Sequence, residues 1–339
     1  MGLFILSNFA TMATIDTSSI FSIATETQFV EQALQTFRYQ YQNNNVYQRF
    51  CNLLKTDVAS VDSIAQIPFL PIEFFKNSTI LSGAGIPEQT FSSSGTTGSL
   101  TSKHAVLDVS LYEHSFRKGF ELFYGSVANF CILALLPSYL ERSGSSLIYM
   151  VDDMIKTSKH PKSGFYLNNL DELALTLQQL EANNTKTMLI GVSFALLDLA
   201  EQYNLNLQNT IVMETGGMKG RRKEMIRQEL HHTLLQGLHT SHIHSEYGMT
   251  ELLSQAYSKG KGLFNCPPWM RVLTRDTEDP LSVQPHGKTG GINVIDLANV
   301  HSCAFIATQD LGKVYEDKSF EVLGRFDHSD IRGCNLMVL

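Results

Sequence analysis

Paired cysteines are missing from this sequence. Its five cysteines, at 51, 131, 266, 303 and 334, form no C-x-x-C pair and keep no regular spacing. That argues against a disulfide framework and against a thiolate metal site. No window of about 18 apolar residues exists, which excludes a transmembrane helix. The apolar opening from Gly2 to Leu6 is too short for a signal-sequence core and has no positive leader, the first basic residue being Arg38. Leu6 stands where a myristoylation signal takes Ser or Thr. These absences predict a cytoplasmic protein whose translation starts at Met1 or Met12. Basic residues are outnumbered, 26 against 33 acidic for a net charge of −7, which excludes a general electrostatic grip on nucleic acid. The basic run from Lys219 to Lys223 reads as the solvated opening of a helix.

What is present is an ordinary globular composition, 43% hydrophobic and 17% charged, in a chain of 339 residues that can bury a large core. Residues 28–42 carry Phe29, Ala33, Leu34, Phe37 and Tyr41 at helical spacing, so an amphipathic helix opens the fold. Pro68 and Pro71 then extend the chain. Apolar runs at 130–136, 187–192 and 211–213 fit strands buried on both faces. Ser193 is the expected N-cap of a helix over 194–203, and a second helix is expected from Arg221 to about Leu235. Strand followed by helix followed by strand predicts an α/β fold with parallel sheets. From about Gly290 short strands at 292–295, 304–307 and 320–323 form a small β-rich subdomain.

Four segments carry chemistry. Ser92-Ser93-Ser94-Gly95-Thr96-Thr97-Gly98 is a loop whose hydroxyls and backbone N–H groups can surround phosphate oxygens, and which is equally a polar surface loop when taken alone. It is no Walker loop, since no Gly-Lys-Ser/Thr follows; Lys103 is the nearest cation. Tyr247-Gly248-Met249-Thr250-Glu251 offers a ring for adenine, a hydroxyl for phosphate and a carboxylate for Mg²⁺. By itself it also reads as a turn before a helix, with Glu251 in the first turn. Thr308-Gln309-Asp310-Leu311-Gly312 and Gly324-Arg325-Phe326-Asp327 follow in order.

The ordered set resembles the adenylate-forming superfamily of acyl-CoA synthetases, luciferases and peptide-synthetase adenylation domains, over about residues 65–334. The resemblance makes Ser94 to Gly98 the phosphate loop, Gly216-Gly217 the adenine-side glycine loop, Asp310 the ribose ligand and Gly324 to Asp327 the hinge with Arg325 near the ribose. It implies ATP and Mg²⁺ as cofactors. The usual loop lysine stands three residues after the last glycine, whereas Lys103 follows Gly98 by five, and the usual domain beyond the hinge, with its lysine, is missing. Within the superfamily the sequence is similar to LuxE-type acyl-protein synthetases in its length, its Phe91-Ser92-Ser93-Ser94 entry and its Arg332-Gly333-Cys334 ending. In that family a cysteine near the C-terminus accepts the acyl group, and Cys334 matches it.

The resemblance therefore implies a fold of the adenylate-forming N-terminal-domain type, with parallel-rich sheets flanked by helices. Its expected parts are an N-terminal helical segment (1–64), the α/β core (65–289), the β-rich subdomain (290–326) and a hinge-like tail (327–339) bearing the cysteine. The expected reaction is ATP-dependent activation of a fatty acid to acyl-AMP, then transfer to Cys334 and delivery to a reductase or other protein partner. Glu251 would hold the metal, Ser93 and the loop the triphosphate, and Lys103, Arg325 or Arg332 the positive charge the missing domain would supply. An acyl- or aryl-CoA ligase of the phenylacetate type and a non-catalytic nucleotide-binding subunit of a reductase fit the same residues. Cys51, Cys131, Cys266 and Cys303 lie in or beside apolar runs and read as packing residues. His239, His242 and His244 lack an H-E-x-x-H spacing and read as loop structure, with His244 expected near the acyl carboxylate.

Overall fold

A computed structural model describes residues 15–93, 100–136, 144–167, 169–216, 222 and 225–325. Helices α1 (Glu26–Asn43) and α2 (Asn45–Leu53) lead to β1 (Leu70–Pro71) and α3 (Phe74–Asn77). The hairpin strands β2 (Gln89–Ser92) and β3 (Lys103–Val106) follow, then α4 (Val109–Tyr124). Alternating elements come next: β4 (Cys131–Leu135), α5 (Ser146–Ser158), β5 (Gly164–Phe165), α6 (Leu170–Ala182), β6 (Thr187–Gly191), α7 (Ser193–Gln202), β7 (Thr210–Glu214), α8 (Arg227–Leu238) and β8 (Ile243–Tyr247). The chain then turns to strands only: β9 (Ala256–Ser258), β10 (Phe264–Asn265), β11 (Met270–Arg275), β12 (Thr289–Asp296), β13 (Phe305–Val314) and β14 (Phe320–Arg325).

One 12-stranded sheet runs through the described residues in the order β11-β12-β13-β14-β10-β9-β8-β7-β6-β4-β5, with β1 added on β13. From β8 to β5 the neighbours are parallel; from β11 to β8 they are antiparallel. The two regimes meet at β8, which is parallel to β7 and antiparallel to β9; farther along, the two-residue strand β10 touches β14 through the single pair Phe264 and Phe320. Strands β4 and β6 are buried at every residue, as strands covered on both faces must be. No described helix is long and apolar enough to cross a membrane.

Local chemistry explains where the element boundaries fall. Helix α1 starts two residues earlier than periodicity suggests because Thr25 and Gln28 form a capping box. Its buried face includes Gln40, whose amide donates to the Asn299 and Val300 carbonyls while its oxygen accepts from Ala304 N–H. Ser193 is not the cap of α7. Val192 occupies that place, and Ser193 is the first helical residue because its hydroxyl reaches the Glu214 carboxylate at 3.3 Å. Helix α8 begins at Arg227, six residues later than expected.

Candidate functional site

The hydroxyl-rich segment falls in sequence between β2 and β3, which pair antiparallel. Ser92 pairs with Lys103, Ser93 N–H donates to the Ser102 carbonyl at 3.0 Å, and Ser102 N–H donates to Ser93 Oγ at 2.9 Å. Both ends of the loop are therefore pinned across the hairpin. Ser94, Gly95, Thr96, Thr97 and Gly98 lie outside the described residues, as do Gly217 and Cys334. Lys103 is exposed, while Ser102 and His104 on either side of it are buried.

The Tyr-Gly-Met-Thr-Glu segment begins at the end of β8 and packs against the hairpin. Glu251 is buried, with Ser102 beside its carboxylate. Burial pushes the Glu251 carboxyl above its usual range, and Ser102, Arg325 and Lys76 pull it back in part. Both backbone carbonyls are held: Thr250 O by His104 Nδ1 at 2.9 Å and Glu251 O by Asn299 Nδ2 at 2.7 Å. At Gly248 the absence of a side chain leaves room for the Glu246 carboxyl. A Cβ there would stand 2.3 Å from Glu246 Oε1. Glu246 itself is half-buried, and desolvation together with the Glu214 carboxylate pushes it up to about 8.

Tyr247, Asp310 and Arg325 meet. The Tyr247 hydroxyl donates to Asp310 Oδ2 at 2.8 Å, and Arg325 Nε reaches Asp310 Oδ1 at 3.3 Å. The Tyr247 ring lies edge-on to Phe264 and Phe320, at centroid distances of 6.0 and 5.5 Å, and is 8% exposed. Arg325 has 81% of its side chain exposed. Gly216 holds a φ of +76° and gives its N–H to Glu214 Oε2 at 2.7 Å. Burial alone would raise Glu214, but His231 and Arg227 outweigh it and hold it near 2.

The donor set suits a hard cation. Glu251 offers carboxylate oxygens in a dry setting whose desolvation a cation would relieve. Among the described residues no three His, Cys, Asp or Glu side chains gather to hold a metal, so a cation at Glu251 would take further oxygens from phosphate and water, as Mg²⁺ commonly does. The three histidines diverge: His239 Nδ1 bonds the Leu205 carbonyl, His242 lies beside Gly260, and His244 bonds the Tyr124 hydroxyl. Cys51, Cys131 and Cys303 are buried and Cys266 partly so. Burial pushes the thiols of Cys51, Cys266 and Cys303 up to about 12 and raises that of Cys131. Sequence reasoning missed Ser102, His104 and Asn299, whose partners lie far along the chain; only the closeness of Ser102 and His104 to the loop hinted at them.

The family model for acyl-protein synthetase, LuxE, matches residues 18–137 and 170–339. The long-chain-fatty-acid–luciferin-component ligase of Vibrio harveyi is 22% identical over 335 residues, covering 88% of this chain and 84% of that protein. Among solved structures, an open conformation of 2-hydroxyisobutyryl-CoA ligase in complex with 2-HIB-AMP and CoA superposes with a TM-score of 0.64 at 11% identity, over 89% of this chain and 70% of that one. ATP-bound MatB from Rhodopseudomonas palustris superposes at 0.53 and 17% identity, over 80% of this chain and 52% of that one. At these identities the structures share the fold.

Proposed function

This chain belongs to the LuxE acyl-protein synthetase family, and on that premise we propose that it activates a fatty acid with ATP and carries the acyl group on Cys334 to a partner enzyme. A carboxylate oxygen of the acid attacks the α-phosphorus, the bond to the pyrophosphate oxygen breaks, and acyl-AMP and pyrophosphate result. The Cys334 thiolate then attacks the acyl carbon, AMP leaves with the bond electrons, and a thioester remains.

The observation that carries this reading is the convergence of Tyr247, Asp310 and Arg325, with Glu251 four residues after Tyr247. Asp310 presents a carboxylate for ribose hydroxyls, fixed in place by the Tyr247 hydroxyl. Gly216 and Gly217 with Tyr247 and Gly248 flank the base, Thr250 and residues Ser93 to Gly98 bind phosphate, and Lys103 and Arg325 supply positive charge to the reacting groups. Glu251 would hold Mg²⁺, which supplies charge neutralisation at the α-phosphate and pyrophosphate when bound. The raised thiols of Cys51, Cys131, Cys266 and Cys303 are poor nucleophiles at neutral pH, which favours Cys334 as the acceptor.

Intact-protein mass after incubation with ATP, Mg²⁺ and a mixture of carboxylic acids tests the proposal. One acyl adduct, released by neutral hydroxylamine and absent from Cys334→Ser, is the expected result. Labelling that persists in the Ser variant moves the acceptor to another cysteine. Acyl-CoA formation without labelling replaces the reading with a CoA ligase, and ATP binding without carboxylate-dependent pyrophosphate exchange replaces it with a nucleotide-binding subunit.

A further inference from the structure

His104 is fully buried on β3, two residues after Ser102, and both of its ring nitrogens are engaged. Nδ1 lies 2.9 Å from the Thr250 carbonyl and Nε2 lies 2.9 Å from Ser302 Oγ. A carbonyl oxygen only accepts, so Nδ1 carries the hydrogen; the neutral ring then presents a lone pair at Nε2 to the Ser302 hydroxyl. The far side of this chain is fixed in turn. The Ser302 carbonyl accepts from Ser82 Oγ at 2.5 Å and from Asn44 Nδ2 at 2.9 Å. Phe75 meets the imidazole edge-on at 5.7 Å, which limits its rotation.

Ser102 and His104 point to one face of a strand, as residues two apart do. The second bonds the Thr250 carbonyl and the first lies beside the Glu251 carboxylate, so the hairpin meets both members of the Thr-Glu pair. Asn299 holds the next carbonyl from the other side. We propose, resting on the adenylation reading above, that His104 is a positioning residue: its Nδ1–H on the Thr250 carbonyl fixes β3 against the Thr250–Glu251 pair and so sets where the Thr250 hydroxyl meets the nucleotide phosphates and where the Glu251 carboxylate is presented to the cation. It touches no reactant. Its effect is on alignment, where an error of about 1 Å can cost roughly a hundredfold in rate.

The two nitrogens can be tested apart. Asn at 104 places an amide N–H near the position of Nδ1 and gives up the Ser302 contact; Gln reaches toward Nε2 and gives up Thr250. Carboxylate-dependent ATP–pyrophosphate exchange is measured on the full chain for wild type, His104→Asn and His104→Gln, alongside their thermal unfolding. The Asn variant is expected within about threefold of wild type, and the Gln variant about 10- to 100-fold lower in kcat with a smaller change in KM for ATP. Equal activity in the two variants overturns the proposal, as does a loss that simply follows the fall in unfolding temperature. If the Gln variant does not fold, Ser302→Ala decides: it removes the Nε2 contact and keeps the Thr250 bond, so kcat must stay within about threefold of wild type, and a loss of about tenfold or more at an unchanged unfolding temperature overturns the proposal. Wild type without exchange removes the adenylation reading and this proposal together, whereas normal wild-type exchange with indistinguishable Asn and Gln variants removes the proposal alone.

Discussion

Glu251 combines two demands that pull against each other. Burial favours its neutral form, and the metal role assigned to it needs the charged one. A cation in place would resolve the conflict. Glu251→Gln should therefore leave the fold intact while abolishing carboxylate-dependent pyrophosphate exchange; exchange within a few-fold of wild type would take Glu251 out of the metal role. Tyr247 presents a different lesson. Its ring is packed by Phe264 and Phe320, and its hydroxyl is what reaches Asp310. Tyr247→Phe removes that single charge-assisted bond, worth about 1.5–3 kcal/mol, and should weaken ATP binding about 10-fold or more in equilibrium titration. Unchanged affinity would mean that Asp310 keeps its orientation through Thr308 Oγ1, which accepts from Asp310 N–H at 3.1 Å, and Arg325 alone. The sequence marked Tyr247, Asp310, Glu251 and Arg325 because their order is unusual as a set. It did not mark His104 or Asn299, since a buried His and a buried Asn announce nothing until their partners, 146 and 48 positions away, are in view.

At the scale of elements, hydrophobic runs located β4, β6 and β7, and helical spacing located α1. Side-chain partners shifted two of the boundaries: the Thr25–Gln28 capping box moved the start of α1, and Ser193 entered α7 because Glu214 stands opposite it. The antiparallel strands were legible as alternation, but not the arginine that joins them. Arg275 is buried, donating to the Ile292 and Thr308 carbonyls and to Asn293 Oδ1, so one guanidinium ties β11, β12 and β13 directly beneath Asp310. Gly291 makes room for it. A Cβ at 291 would lie 2.6 Å from the Arg275 Cζ, and the guanidinium could retreat only by giving up its bonds to Ile292, Asn293 and Thr308. Gly291→Ala should destabilise the fold by about 1–3 kcal/mol, the usual cost of overpacking, seen as a lower urea midpoint at unchanged slope. An unaltered midpoint would show that the guanidinium moves freely.

The molecule as a whole should have a flat-topped stability profile in pH. Contacts hold Glu26 and Glu214 near 2 against an ordinary 4.5, so their contribution is present above about 4.5 and is lost as pH falls toward 2. Burial lowers His104 and His244 to about 4 from 6.5, so their contribution is lost as pH falls from 6.5 through 4. Asp296, raised to about 6, and Glu246, raised to about 8, act in the opposite sense, their contributions fading as pH rises. Between about 4.5 and 6.5 the two sets oppose each other. Below 4.5 the acid losses dominate, and from 6.5 to 8 the contribution of Glu246 continues to fade. Urea midpoints across pH 3–9 should therefore plateau and fall on both sides; a rise from 6.5 to 8 would contradict the assignment of Glu246.

The meeting of β10 and β14 through one residue pair has a mechanical consequence. A sheet this wide is only as stiff as its narrowest seam, and here one residue pair joins the strands from β11 to β14 to those from β10 to β5. Tyr247 comes from one side of the seam, and Asp310 and Arg325 from the other. A nucleotide gripped by all three would act as a rivet across the joint, converting two plates into one. Amide hydrogen exchange in 256–258, 264–265 and 320–325 should then slow when ATP binds, more than in β4 or β6, which are already clamped on both faces. Equal protection everywhere, or none at the seam, would mean that the ligand sits on one plate only.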